Sequence, residues 1–239
     1  HSLYHETLGD SLFEIPGTYP LLPEEVQPRI KLATDILEDI VGHKVVSWRC
    51  PRLFGGTHVT NALEELGYEC DATYPMYFYN EQLFPYHPSQ ENWTEQGSLN
   101  LIEIIQFADM GMESKDDYGR DKDQWPLYRT QSTEAFIPHI ESFMSYLEKN
   151  DQSQKPIVLC FYFHPWEFWE MPEGVIHYGE GGVMPDPFLT KGCGKYCLNE
   201  VELLIDWLKS KDATFLTAGQ CARKWKNILA KPDIKRTQR

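Results

Sequence analysis

The sequence predicts a parallel α/β fold, with its sheet either open or closed into a barrel. Three observations predict it. Short β-type runs alternate with amphipathic helical stripes along the chain. One continuous apolar run, 156–163, has the composition of a strand buried on both faces. The 239 residues, 41% hydrophobic and 24% charged, match an ordinary soluble globule with one core. Neither an internal repeat nor a dividing linker interrupts the chain, so a single domain over 1–239 is expected.

Taken in order, the first helix starts at Glu24, where Val26, Ile30, Ala33, Ile36, Leu37 and Ile40 recur at spacings of three and four, and stops at Gly42. A β-type run over 44–48 follows and is broken by Pro51 and Gly55. Thr57 is placed to cap a helix over 58–66, whose Gly67 stop leads into a short strand within 68–73. Residues 75–98, rich in Pro, Tyr, Asn and Gln, predict a long ordered loop, and 99–105 a strand. Crowded charges over 113–123 predict a solvated excursion. A helix over 133–149 presents Phe136, Ile137, Ile140, Phe143, Met144 and Leu147 on one stripe, and the 156–163 strand ends at His164-Pro165. A Gly- and Pro-rich loop, a helix over 198–209, a strand over 213–216 and a helix over 218–229 complete the chain.

Charge narrows the partners. Lys plus Arg number 22 against 36 Asp plus Glu, a net charge of −14, and such a surface repels phosphate backbones and anionic lipid heads, so neither nucleic acid nor membrane is expected. No apolar run approaches the roughly 18 to 20 residues of a membrane helix, and nothing resembles a signal peptide. Six cysteines are too few to indicate a disulfide scaffold; Cys50 and Cys160 read as buried thiols, and Cys193 and Cys197 as unbonded loop cysteines, with a local bridge or a metal as the alternatives. The compartment stays open. Asn92-Trp-Thr94 matches a glycosylation acceptor pattern of common occurrence.

In parallel α/β folds chemistry gathers at the C-terminal ends of strands, and the polar residues at those ends are Arg49, Asp71 and His164. His1 and His5, four apart, can put two imidazoles on one side of a helical turn or tight loop, where they can share a metal ion. Carboxylates from elsewhere could complete a two-histidine, one-carboxylate site with open positions. Metal-bound water is the standard nucleophile for amides and esters near neutral pH, its pKa lowered from roughly 15.7 to about 7. Arg49 suits either a structural ion pair or a functional role. His164, held by Pro165 and flanked by Trp166 and Glu167, suits a general acid, with a satisfied core histidine as the alternative. Trp166, Phe168 and Trp169 could stack on sugar rings or simply pack.

Five blocks in order, His1-Ser-x-x-His5, Arg49-x-Pro51-x-x-x-Gly55, Ala62-Leu-Glu-Glu-Leu-Gly-Tyr68, Phe163-His-Pro-Trp-Glu167 and Phe215-Leu-Thr217, resemble the polysaccharide deacetylase (NodB-homology) family over nearly the whole chain. The resemblance implies a distorted (β/α) barrel of about seven strands and a metal-dependent hydrolase that removes acetyl groups from N- or O-acetylated sugars. It implies that His1 and His5 ligate a divalent metal, most plausibly zinc, that Arg49 orients the catalytic base, and that His164 protonates the leaving amine or alcohol. Asp71 falls near the family's fourth, Asp-rich motif; Pro51 and Trp166 fall where substrate would lie. Tyr162 stands where the family usually has leucine. The family's Asp-Asp strand end belongs upstream of the histidine pair, so an N-terminally truncated chain lacking the first strand is expected. The long loops over 75–98 and 165–195 are expected over the barrel mouth, shaping a groove for a carbohydrate partner. Two other readings accompany this one: an amidohydrolase of a small non-sugar amide such as a ureide or cyclic imide, and a non-catalytic carbohydrate-binding relative.

Overall fold

The computed structural model describes residues 1–123, 127–151, 153–172 and 174–231. Its centre is a parallel sheet of three two-residue strands, β1 (Ser47–Trp48), β2 (Cys70–Asp71) and β3 (Ile102–Glu103), in spatial order β1-β2-β3. The register pairs Trp48 with Asp71 and Asp71 with Glu103, which lines up the strands' C-terminal ends. Helix α1 (Pro23–Val41) precedes β1, α2 (Thr57–Glu65) connects β1 to β2, the short α3 (Met76–Tyr79) lies between β2 and β3, and after β3 the short α4 (Leu127–Thr130) leads to α5 (Thr133–Asn150). Beyond 163 come an antiparallel hairpin of β4 (Ile176–Tyr178) and β5 (Gly181–Val183), the short α6 (Pro187–Thr190), then α7 (Lys195–Ser210) and α8 (Ala218–Leu229). The fold is thus mixed α/β with a small parallel sheet, and among the described residues no seven-stranded barrel forms.

The reason lies in the two remaining strand candidates. Residues 156–163 form no ladder, and their one backbone bond to the sheet region is Phe107 N–H to the Cys160 carbonyl, 3.0 Å. A parallel ladder needs a series of evenly spaced bonds, and a single one does not make it. Residues 213–216 are exposed, with Phe215 and Leu216 facing solvent. The β4–β5 hairpin was not foreseen, because its Gly179-Glu180 turn lies in a stretch that reads as irregular loop.

Helix α1 ends as its sequence predicts, at Gly42 in the left-handed region with φ 72°, its N–H bonded to the Glu38 carbonyl. Its buried face is narrower than the apolar stripe: Val26, Ile30 and Ala33 are inside, while Ile36, Leu37 and Ile40 are exposed because only the first half of the helix lies over the sheet-side cluster. Thr57 is the first residue of α2 rather than its cap, a place taken by Gly56, and its hydroxyl accepts from Trp93 N–H at 3.3 Å. Helices α5 and α8 carry real caps. Ser132 accepts from Ala135 N–H, and Thr217 and Gln220 bond each other's backbone reciprocally.

The 75–98 loop is not a lid. Its aromatic side chains pack inward: Tyr86 and Trp93 are both 1% exposed, lie 5.8 and 5.7 Å from Tyr74, and are joined by a bond from the Tyr86 hydroxyl to the Trp93 carbonyl. This cluster continues through Phe107, Phe136, Ile140 and Phe143 to Leu204 on α7. All six cysteines are unbonded; Cys193 and Cys197 are both buried, the latter on α7. No helix among the described residues is long and apolar enough to cross a membrane.

Candidate functional site

The chain leaves β1 through Arg49 and enters a single 3-10 turn over Pro51–Leu53, where buried Pro51 starts the turn and Arg52 and Leu53 adopt φ of 58° and 60°. Non-glycine residues in that region cost of order 1 kcal/mol each and persist only where the surroundings enforce them. Here the first ten residues do so. The Asp10 N–H bonds the Gly55 carbonyl at 2.8 Å, and a side chain at Gly9 would collide with that carbonyl, so the segment lies directly on the Arg-x-Pro-x-x-x-Gly loop. Arg52 Nη1 then donates to the His5 carbonyl at 3.0 Å, and His5 itself sits at φ 60°. This tight loop brings the His1 and His5 rings to 4.9 Å between centroids.

At the strand ends, Arg49 is fixed by Nε donating to the Ala72 carbonyl (2.8 Å) and Nη2 to Cys160 Sγ (3.3 Å). Its guanidinium lies over the Tyr162 ring at 5.9 Å, and Tyr162 meets the His164 ring edge-on at 6.0 Å. His5 has its pKa lowered by desolvation, by the Arg52 cation and, in smaller part, by His164, which is remote in sequence. The His1 backbone nitrogen lies near Asp71, Arg49 and Cys50. Five of the residues singled out from sequence, His1, His5, Arg49, Asp71 and His164, therefore gather at one end of the sheet. Pro51 shapes the loop that carries them.

His164 is oriented by a residue three positions on. Glu167 Oε1 accepts from His164 N–H (2.8 Å) and lies 2.9 Å from Nδ1, while Glu167 Oε2 accepts from the Tyr128 hydroxyl (2.9 Å) and faces Arg129 Nε (3.3 Å). Glu167 and Arg129 are wholly buried, and the His164 side chain is 42% exposed. Trp166 stacks on His164 at 5.2 Å and has Arg129 at 5.5 Å from its ring, so it braces the imidazole. Trp169, 74% exposed, is the aromatic face open to solvent. A histidine with Nδ1 committed to a carboxylate presents Nε2 for proton transfer.

Asp71 and Glu103, register partners on β2 and β3, are both fully buried. The Thr73 hydroxyl donates to Asp71 Oδ1 (2.5 Å), while Thr73 N–H and Tyr74 N–H donate to Glu103 Oε1 (3.0 and 2.8 Å). Burial pushes Asp71 up to about 7, opposed by the Thr73 bond and by Arg49. Burial and then the neighbouring Asp71 push Glu103 upward too. Sequence reasoning missed Glu103, Arg129 and the role of Glu167. Glu103 carried a signal, as a charge inside an apolar strand run; Arg129 carried none.

A catalytic zinc is held by three protein ligands plus water. The histidine pair offers two nitrogens, and among the described residues no group of three His, Cys, Asp or Glu donors assembles. The residues present do not complete such a site, and no chemical step is derived through a metal.

No family model matches the chain, and no curated protein matches it significantly. A solved chain from Mycobacterium smegmatis, assigned by its name to the polysaccharide deacetylases, shares 16% identity with a TM-score of 0.35 over 52% of this chain and 41% of its own length. The aligned part is thus under half of that protein. A likeness at this level carries no argument, and the functional reading rests on the residues.

Proposed function

We propose that this chain is a hydrolase that removes acetyl groups from an N- or O-acetylated carbohydrate. The observation that carries the reading is His164, oriented by buried Glu167 and meeting the Tyr162 ring that lies under Arg49, at the sheet end that also holds Asp71. These are the residue types, in the same sequence blocks, that resemble the polysaccharide deacetylases. In this reading His164 delivers the proton that lets the amine or alcohol leave, and Glu167 keeps the ring turned and its proton on the correct nitrogen. Arg49, locked by two bonds, orients the acidic partner. Exposed Trp169 offers a stacking face for a sugar ring, with braced Trp166 beside it. Zinc enters as a proposal of its own, with His1 and His5 supplying two of its donors.

The test is hydrolysis of acetylated chito-oligosaccharides and of a small acetyl ester, with and without added zinc, by wild type and His164→Ala. Turnover should fall by roughly 10² to 10⁴ in the variant. Its fold should persist, because the backbone N–H at 164 still bonds Glu167. Unchanged turnover in a folded variant removes His164 from the mechanism. Saturable sugar binding without any turnover replaces the hydrolase reading with a binding one, and turnover confined to small ureides or imides replaces the substrate.

A further inference from the structure

Two carboxyl groups sit side by side at the end of the sheet with one oxygen each that no protein group bonds: Asp71 Oδ2 and Glu103 Oε2. Both side chains are 0% exposed, and they project from register partners on adjacent parallel strands, hence on the same face. The other two oxygens are tied together through one residue, Thr73, whose hydroxyl serves Asp71 and whose N–H serves Glu103. Among the described residues no cation is bonded to either acid. Arg49 spends Nε on a carbonyl and Nη2 on a thiol, and acts on the pair only through space. Two ionised, acceptor-only groups in a dry place, each short of a donor, make an arrangement a folded protein does not tolerate. One proton cures both defects, because a protonated Glu103 becomes the donor that Asp71 Oδ2 lacks.

We infer that Glu103 is a neutral carboxylic acid at neutral pH that shares its proton with the Asp71 carboxylate, directly or through one enclosed water, and so acts as a positioning residue fixing a single negative charge opposite Arg49. The inference deepens the hydrolase reading and rests on it for the purpose of that charge, though the protonation state stands apart from it. The groups facing the pair are Arg49, the Cys50 and Cys70 thiols, and the Tyr74 and Tyr86 phenols. Of these only Arg49 carries positive charge. Burial holds the thiols and phenols protonated through neutral pH.

Infrared difference spectra of the full chain test this, wild type minus Glu103→Gln at neutral pH. A carboxylic-acid carbonyl band, distinct from ionised carboxylate, should be present in wild type and lost in the variant. Asp71→Asn, which keeps Glu103 but removes the neighbouring charge and puts a donor where Oδ2 stood, should shift or weaken the band, so a poorly folding glutamine variant leaves the question answerable. A band absent from wild type at neutral pH, or unmoved in Asp71→Asn, overturns the inference. The denaturation midpoint supplies a second readout. Glu103 keeps its proton when folded and releases it when unfolded, so wild-type stability is fully present below about pH 4.3 and declines as pH rises above it. Glu103→Gln should therefore gain on wild type from pH 5 to 8, and a constant difference overturns the inference. Hydrolysis of the acetyl probes, read alongside, should fall roughly 10- to 100-fold in Glu103→Leu, which drops the donor and both backbone bonds. If no variant or wild type hydrolyses any probe while the band behaves as expected, the hydrolase reading fails and the shared proton stands.

Discussion

Among the described residues two places bury acidic side chains completely, and they neutralise them differently. At the His164 end, Glu167 is answered by a full counter-charge, Arg129, at 3.3 Å and equally buried, with Tyr128 and His164 taking the other lone pairs. At the sheet end, Asp71 is answered by a second acid, Glu103, with backbone and hydroxyl donors on one oxygen of each. A counter-charge makes a site in which the buried carboxylate is paired directly. A shared proton makes one that titrates. The two ends meet through Arg49, Tyr162 and His164, so the rigid arrangement aims the imidazole while the titrating one sets the charge behind Arg49.

The sharpest way to break the comparison is to remove the counter-charge. Arg129→Met leaves Glu167 as an uncompensated buried carboxylate, and taking one partner from a buried ion pair typically costs about 3–5 kcal/mol. Arg129 also donates to the carbonyls of Phe188 and Leu189 at 3.2 Å each, so the loop before α7 should loosen together with the loss. Urea denaturation at neutral pH measures it. A loss below about 1 kcal/mol would mean that Glu167 takes up a proton instead, and that the two ends are alike.

A smaller effect, with a sign rather than a size as its signature, is expected at the other end. Asp71→Asn keeps an acceptor for the Thr73 hydroxyl and replaces the bare Oδ2 with a donor. Because burial raises the folded Asp71 pKa to about 7, from an unfolded value near 3.9, wild-type stability is fully present below about pH 3.9 and lost as pH rises through 7. The asparagine variant should therefore improve against wild type across that window, by about 1–3 kcal/mol. Parallel stability curves for the two proteins from pH 4 to 8 would remove the titrating end from the comparison.

What the sequence made legible follows the same division between local and non-local causes. Local signals held: the Gly42 and Gly67 stops, the α8 bounds at 218–229 and all three strands of the parallel sheet inside runs read as strands. The Arg-x-Pro-x-x-x-Gly block also stood out, since its loop geometry is written into adjacent residues. Barrel closure was not legible. The apolar run 156–163 is as strand-like as any in the chain, yet ladder formation depends on what lies beside it, and it finds one bond to Phe107. The aromatic loop over 75–98 read as a substrate wall because Tyr and Trp serve both roles, and only tertiary packing shows Tyr86 and Trp93 inside. Glu103 needed the β2–β3 register to acquire a partner, and Arg129 needed the approach of α4 to the His164 turn.

The same pairing of charges at the surface calibrates both buried ends and carries the smallest expected effect. Asp116 and Arg120 pair in the charged excursion, Nη2 to Oδ2 at 2.5 Å and Nε to Oδ1 at 3.0 Å, with side chains 24% and 46% exposed. The Arg120 bond is the largest cause holding the Asp116 carboxyl down at about 2. For a depressed carboxylate the sign is opposite to that of Asp71: its contribution is present above about pH 3.9 and disappears as pH falls through 2. Water and salt screen the pair, so Asp116→Asn should cost no more than about 1 kcal/mol at neutral pH and less still in molar salt. The variant keeps an acceptor for the Tyr118 N–H, which leaves the charge as the main loss. A cost near that of Arg129→Met would show that local geometry outweighs burial here, and the contrast between the two interior ends would lose its physical basis.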